Sequence, residues 1–137
     1  AVHRVSYYSK NPNPSLVCQN SNDKFTVDSK NGNGKLTYPV GLITLDEVVL
    51  AGFNTYYSNK NDHEDTTNYL CTNNFYWAFS PVLMYALGHA HVGFVTSAGF
   101  AGSDYVDSSH GVRPVVSLAS NTLVTGEGTT TNPYIVQ

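Results

Sequence analysis

The chain has 137 residues, only 12% of them charged, and a formal net charge of -3 at pH 7. This length suits one domain, residues 1–137, whose single core needs no crosslink or metal to be stable. The weak negative charge offers neither the basic footprint of a nucleic-acid-binding protein nor a polybasic patch for a membrane surface. We therefore expect no nucleic-acid partner, and membrane attachment only through a segment that this sequence does not include.

The two cysteines, Cys18 and Cys71, form an even pair without a C-x-x-C motif. In an oxidising compartment we expect them to form one disulfide, which would stabilise the fold by about 4 kcal/mol in the chain-entropy model. The alternative is two buried thiols that never meet. Few lysines with many Asn, Thr and Tyr residues are typical of bacterial extracellular proteins, so we expect an extracellular or cell-surface location.

The first forty residues contain two weak strand patterns and one turn. Residues 1–9 alternate apolar and polar side chains, and residues 24–28 (KFTVD) have the composition of a strand. Residues 31–34 (NGNG) tolerate or accept positive φ, so a hairpin or tight loop is expected there. Residues 35–43 follow as an extended segment.

Residues 44–52 carry the clearest helix signal. Thr44 is positioned to cap the Glu47 amide while the Glu47 carboxylate reaches back to the Thr44 amide, and an apolar stripe follows at helical spacing. Gly52 suits the left-handed residue that ends a helix. Asp46 and Glu47 are adjacent carboxylates, but their place in the first turn predicts a capping role rather than acid–base catalysis.

The second half of the chain is expected to contain one long loop followed by strands. Residues 53–74 are rich in polar side chains and tyrosine, which predicts a surface loop. A strand at 75–79 is expected to end at a Ser-Pro pair, and the β-branched run at 112–118, interrupted by one proline, predicts an edge or bulged strand. Residues 134–136 are expected to pair back into the main sheet.

Residue types that serve in catalysis or metal binding occur without the spacing that those functions need. His89 and His91 are two apart, so on a strand both imidazoles face one way, yet no third ligand lies nearby in sequence. The polar run 104–110 contains Asp, Ser and His without the strand–turn–helix context of a nucleophile elbow. We expect no metal site, no cofactor and no enzymatic activity. Arg113 is expected to hold carbonyl groups or an acid where the last strands pair.

Residues 82–110 are the most heterogeneous part of the chain. They mix small and apolar residues with Leu, Tyr, His, Phe, Ser and Asp, and they lie between two regular ends at residues 76–81 and 111–118. A constant frame around such an insert is typical of a binding face, and rigid aromatic side chains suit recognition. We expect residues 56–69 to add contacts. The residues expected to hold the insert to its frame are Met84, Val92, Gly93, Val95 and Val106.

Four segments together resemble a known family: YPVGLITLDEVVLAG, YLCTNNFYWAFSP, GVRPVVSL and TGEGTTTNPYIV. They are similar to bacterial surface domains with the C-type-lectin-like fold, akin to formylglycine-generating-enzyme and pilin-associated domains. The resemblance covers most of the chain, and its most specific piece is the GVRP sequence. It implies an α+β fold of small twisted antiparallel sheets with one or two short helices and long loops, preceded by an anchor or pilin helix outside this sequence.

Some proteins of this fold are variable proteins of diversity-generating retroelements, whose ligand contacts precede such a closing motif and arise from randomised adenines in asparagine codons. Randomising both adenines of AAC cannot produce Lys, Glu, Gln or Trp, and none of these occurs in residues 82–110. The ligand-binding residues predicted from the resemblance and this composition are Val82, Leu83, Tyr85, Leu87, His89, His91, Phe94, Thr96, Phe100, Ser103, Asp104, Tyr105, Asp107, Ser109 and His110.

The resemblance does not imply oxidase activity. Formylglycine-generating enzymes bind copper through a cysteine pair late in the chain, whereas Cys18 and Cys71 precede the equivalent stretch. We predict an extracellular recognition or adhesion domain that binds a protein or glycan ligand through residues 82–110. The alternative is a structural pilus or cell-surface subunit whose partners are other pilus subunits, and a metal-dependent or oxidase-like enzyme is a third reading.

Overall fold

The computed structural model describes residues 13–18, 20–55, 66–84, 88–129 and 131–137. The strand predicted at residues 1–9 lies outside these ranges. A 3-10 turn, Ser21–Asp23, comes first among the described elements. The strands and the helix are β1 (Val40–Leu42), α1 (Leu45–Leu50), β2 (Asn54–Thr55), β3 (Tyr76–Met84), β4 (Ala90–Val95), β5 (Phe100–Tyr105), β6 (Pro114–Val116), β7 (Val124–Thr125) and β8 (Ile135–Val136).

The strands form three small sheets. The largest has the order β2-β5-β4-β3, while β1 pairs with β6 and β7 pairs with β8. All pairings are antiparallel except the short parallel one between β2 and β5. The coarser part of the predicted α+β class, small antiparallel sheets with one short helix, is therefore confirmed. Among the described residues, no helix has the length and apolar character that a membrane span requires.

Helix α1 packs on one face of the four-stranded sheet and closes the core there. Leu45 and Val48 of the helix are fully buried. Gly93 in β4 leaves the space that Leu45 fills, because a Cβ atom on Gly93 would lie 2.6 Å from the Leu45 Cδ1 atom. The buried apolar residues of this core are Leu45, Val48, Phe53, Leu70, Tyr76, Ala78, Val82, Val95 and Ala101.

The capping box predicted at the start of α1 is confirmed. The Glu47 amide donates to the Thr44 hydroxyl over 3.2 Å, and the Thr44 amide donates to the Glu47 carboxylate over 2.7 Å. Asp46 accepts a 2.8 Å hydrogen bond from the Ser15 amide, which ties the incoming chain to the helix. Gly52 has a φ of 98°, the left-handed conformation predicted for it. Both carboxylates of this turn are therefore structural.

Strand β3 is longer than predicted, since it continues through Ser80 and Pro81 to Met84. Proline is tolerated here for two reasons. The register with β4 shifts between Trp77 and Pro81 and again between Pro81 and Leu83, and β3 lies at the edge of its sheet. The prediction that the Ser-Pro pair ends this strand is wrong.

The outer edge of β3 is covered by two segments from distant parts of the chain. The Gly111 amide donates to the Phe75 carbonyl over 2.8 Å, and the Trp77 amide donates to the Gly111 carbonyl over 2.9 Å. The Phe79 amide donates to the Ile43 carbonyl over 2.9 Å. These bonds satisfy backbone groups that an edge strand would otherwise expose, and they place residue 110 beside the start of β3.

Arg113 has the structural role that the sequence predicts. Its Nη1 atom donates to the Leu70 carbonyl over 3.0 Å, and its guanidinium carbon lies 5.5 Å from the centroid of the Tyr76 ring. The Tyr76 hydroxyl donates to the same carbonyl over 2.7 Å. Burial raises the pKa of Tyr76 against the opposing effect of Arg113, so the phenol remains a donor. The contacts join the turn at 66–70, β3 and the chain before β6.

Two other predicted strands differ from the structure. Residues 24–28 form an irregular loop around the NGNG turn, in which the Asn33 amide donates to the Lys24 carbonyl over 2.9 Å and the Leu36 amide donates to the Thr26 carbonyl over 3.1 Å. The terminal strand β8 pairs with β7 and not with the main sheet. This closing ribbon exposes the apolar side chains of Leu123, Val124, Tyr134, Ile135 and Val136.

The structure does not contain the disulfide expected between Cys18 and Cys71, and both thiols are free. The Cys18 thiol donates to the Asn20 carbonyl over 3.2 Å. The Cys71 thiol donates to the Ser97 carbonyl over 3.0 Å and packs beside the core. Each thiol is thus engaged locally, which agrees with the alternative of two thiols that never meet.

We predict that Gly93→Ala destabilises the fold by about 1 to 3 kcal/mol, because the added methyl group overlaps the Leu45 side chain. Urea denaturation of the variant measures this loss. In a Leu45→Ala background, where the overlapping Cγ, Cδ1 and Cδ2 atoms are all removed, the same substitution should cost less. An equal cost in both backgrounds would show that the Leu45 contact does not limit this position.

Candidate ligand-binding face

The pleat of the four-stranded sheet sends the predicted contact residues to two different faces. Gly93 and Val95 of β4 face α1 and the core, so Phe94 between them faces the other side. On that side Phe94 is in register with Trp77 of β3 and Gly102 of β5. Side chains from three strands therefore meet on the face opposite the helix.

An aromatic cluster occupies this face; we use the name for the rings of Phe75, Trp77, Phe94 and His110. The His110 ring stacks on Phe94 at a centroid distance of 4.7 Å and meets Trp77 edge-on at 4.4 Å. Phe75 lies 5.4 Å from Phe94 and 5.8 Å from His110. The imidazole is therefore surrounded by three aromatic rings, an arrangement that favours a fixed orientation.

Gly102 makes room for the cluster on β5. A Cβ atom at this position would lie 2.8 Å from the Phe94 Cζ atom, closer than packed carbon atoms approach. The Phe94 ring thus covers the backbone of its neighbouring strand where a side chain would otherwise stand. This position has no space for a side chain while the ring lies there.

Asp104 and His110 form a pair at the edge of the aromatic cluster. The Asp104 Oδ2 atom lies 3.0 Å from the His110 Nε2 atom, and the two side chains are 34% and 11% exposed, respectively. Burial alone would raise the pKa of Asp104. Hydrogen bonds from the Tyr105 amide and from the side chains of Ser108 and His110 outweigh that effect, so the pKa is lowered and Asp104 is ionised at neutral pH.

His89 and His91 lie on the same side of the sheet, as their spacing predicts. Both rings meet the Tyr105 ring edge-on, at centroid distances of 5.3 Å for His89 and 4.4 Å for His91. Tyr105 follows Asp104 directly on β5, so its side chain points to the opposite face of the strand. The predicted contacts thus form a second group, on the other side of the sheet from the aromatic cluster.

The predicted contact residues differ widely in exposure. Val82 and Thr96 are only 1% and 2% exposed, so burial keeps both side chains from a ligand at the surface. Tyr85 and Leu87 lie outside the described residues, as do residues 56–65. The half-buried members are Leu83, His91, Phe94, Phe100, Ser103, Asp104 and His110, and the exposed members are His89, Tyr105, Asp107 and Ser109.

The predicted frame is correct at some positions and wrong at others. Val95 is fully buried and Gly93 lies against the helix, as a holding role requires. Val92 is half-buried. Met84 and Val106 are 74% and 56% exposed and therefore do not hold the insert to the core.

Phe75 and Trp77 were missed as members of the site. The sequence assigns both to the strand that frames residues 82–110, yet their rings form two sides of the aromatic cluster. Their spacing of two residues places both side chains on one face of a strand, and this signal is visible in the sequence. The register of the strands determines which residues these two rings contact across the sheet, and the sequence does not reveal that register.

The Asp104–His110 pair does not have the arrangement of a hydrolytic triad. Ser108 hydrogen-bonds to Asp104, which lies between it and His110, whereas a hydrolytic triad places the imidazole between hydroxyl and carboxylate. In the part of the chain that the structure describes, no three His, Cys, Asp or Glu side chains are grouped closely enough to hold a metal ion. What the cluster offers is aromatic surface beside one carboxylate acceptor.

Comparison with protein-family models, curated proteins and solved structures yields no match to this chain.

We predict that Asp104→Asn lowers the free energy of unfolding at pH 7 by roughly 0.5 to 1.5 kcal/mol, because it removes a hydrogen-bonded ionised group. Since the folded-state pKa is lowered, this stabilisation is present above the unfolded value of about 4 and is lost as pH falls through the folded value. Urea denaturation of both proteins across this range measures the difference. The exposed Asp107→Asn is the control, and a difference for Asp104→Asn that persists unchanged at the lowest pH would contradict the assignment.

Proposed function

We propose that this chain is an extracellular recognition domain that binds a protein or glycan ligand through residues 82–110. The observation that carries the proposal is the meeting of Phe94, Asp104 and His110 on one face of the sheet. These residues are separated in sequence, and Phe75 and Trp77 complete the cluster that they form.

The chemistry of this face fits recognition. Phe75 is 41% exposed, so aromatic surface is available to apolar parts of a ligand. The Asp104 carboxylate is about one-third exposed and can accept hydrogen bonds beside that surface. On the opposite side of the sheet, Tyr105 and His89 offer further amphipathic rings. Rigid rings with a few polar groups supply binding area at low entropic cost.

The proposal includes the C-type-lectin-like fold that the sequence resembles. Its support is the scarcity of helix, the small sheets and the long irregular segments between them. Pairing of β1 with β6 brings two of the resembling segments, YPVGLITLDEVVLAG and GVRPVVSL, into contact. A shared fold carries no ligand identity, so the ligand is left unspecified beyond its class.

Diversification by a retroelement is the second part of the proposal, and burial restricts where it can act. Val82 and Thr96 are interior positions, at which most replacements would leave a cavity, an overlap or an unsatisfied polar group. Variation compatible with folding is therefore concentrated at the exposed and half-buried positions. Those most open to it are His89, Tyr105, Asp107 and Ser109.

A structural pilus or cell-surface subunit is the alternative function. The observation that favours it is the closing ribbon, which exposes apolar residues on both faces. Exposed apolar surface of this kind suits contact with a neighbouring subunit. In that case the aromatic cluster would have no ligand.

We predict that the wild-type domain captures specific members of a glycan array or a panel of surface proteins, and that Phe75→Ala weakens this capture by about tenfold or more, since it removes exposed aromatic surface. Tyr134→Ala, at an aromatic position of the closing ribbon that is even more exposed (63% against 41% for Phe75), is the control and should leave capture unchanged. Equal loss in both variants, or capture that neither affects, would favour the structural alternative.

Sequencing the source locus tests diversification. We expect a reverse transcriptase gene and a near-repeat of the segment encoding residues 82–110, with mismatches at adenines of the template. The mismatched codons should include those of exposed positions such as Tyr105 and Asp107, while the codons of Val82 and Thr96 should match the template. A locus without repeat and transcriptase, or mismatches concentrated at the buried codons, would refute this part of the proposal.

A further inference from the structure

Aspartate and histidine are the side chains that determine the charge of the predicted binding segment. Residues 82–110 contain the acids Asp104 and Asp107 and the histidines His89, His91 and His110, and they contain no Lys, Arg or Glu. Imidazole is the side chain whose ordinary titration lies between about pH 5 and 8. The segment is therefore negative when its imidazoles are neutral, and it becomes less negative with each one that gains a proton.

His110 is the histidine placed to change the charge of the site itself. Its neighbours are Phe75 just before β3, Trp77 of β3, Phe94 of β4 and Asp104 of β5. Of these described contacts, Asp104 alone is charged. Because the Asp104 pKa is lowered, its carboxylate remains ionised throughout the range in which an imidazole titrates.

We propose that His110 makes recognition at this face dependent on pH, so that the face binds a cationic partner, a basic peptide segment, at neutral pH and releases it on mild acidification. This inference rests on the proposed recognition function and specifies its partner and its regulation. Neutral His110 leaves the charge of Asp104 available to the partner. Protonated His110 balances that charge at a separation of 3.0 Å, which removes the attraction.

The contacts of His110 permit this change without rearrangement. A neutral imidazole can donate from Nε2 to the carboxylate, and so can the protonated ring, so the 3.0 Å contact persists in both states. The Phe94 ring stacks on the imidazole in either form, and a cation over the face of an aromatic ring is favourable. The switch acts by charge, with the fold held constant.

Trp77 provides a direct readout, because it is the only tryptophan in the chain and its ring lies 4.4 Å from His110. A protonated imidazole quenches indole fluorescence more strongly than a neutral one. We expect emission of the wild-type protein to fall in a single step between about pH 8 and 5. His110→Gln, which keeps an N–H donor and cannot titrate, should abolish the step. His89→Gln, whose ring contacts Tyr105, should leave the step unchanged.

The binding measurement uses a short oligolysine peptide at low ionic strength. Wild-type affinity should fall about fivefold or more from about pH 7.5 to about pH 5.5, and His110→Gln should reduce this change to less than about twofold. Asp104→Asn should weaken binding at the higher pH, whereas Glu127→Gln, which removes the same charge outside residues 82–110, should not.

Each other outcome overturns the inference. A fluorescence step that survives in His110→Gln would assign the titration to another group, and equal effects of Asp104→Asn and Glu127→Gln would reduce the binding to net charge. Oligolysine that fails to bind at either pH would exclude a cationic partner. Capture on the glycan array or protein panel is independent of these results, so it separates failure of this inference from failure of the recognition function.

Discussion

Two backbone hydrogen bonds between Gly111 and the start of β3 determine how the rest of the candidate site is arranged. The Gly111 amide and carbonyl bond to Phe75 and Trp77, so the chain that leaves β5 must return along the outer edge of the sheet. This return places the His110 imidazole over the ring of Phe94 and within reach of Asp104. The same two bonds also pair backbone groups that the edge of the sheet would otherwise expose. They therefore both position His110 in the candidate site and protect the sheet edge.

Gly93 and Gly102, which have no side-chain volume, each admit a large side chain, one on either face of the sheet. Gly93 admits Leu45 of α1 on one face of β4, and Gly102 admits the Phe94 ring on the other. Because consecutive residues of a strand face opposite ways, both spaces can exist on neighbouring strands without competing. The helix-facing side is thereby sealed as core around Leu45, while Tyr105 at the end of that side and Phe75 on the other side remain partly open to solvent.

The features that were predictable from the sequence are those that depend on neighbouring residues. The capping box of Thr44 and Glu47 and the left-handed Gly52 need only a few adjacent positions, and the common side of His89 and His91 follows from strand geometry. The role of Arg113 was also predictable, because a guanidinium near paired strands has few other partners than carbonyl groups.

What could not be predicted depends on pairing across the sheet. Pro81 lies inside β3 because the register with β4 slips on both sides of it, and no local pattern encodes that slip. Met84 and Val106 are apolar yet exposed, whereas Thr96 is polar yet buried. From side-chain type alone, the first two would be predicted to be buried and the third to be exposed. The sequence predicts ligand contacts within residues 82–110, but the division of these residues between two faces depends on the register and could not be predicted.

The closing ribbon of β7 and β8 has a consequence for how the domain opens. A two-stranded ribbon with exposed apolar side chains is marginally stable in water, whereas β3, β4 and β5 share a core with α1. We therefore expect amide hydrogens in the ribbon to exchange with solvent through local opening, and those between β3, β4 and β5 to exchange only when the core itself unfolds. On this basis the terminal ribbon opens independently of the core that carries the aromatic cluster.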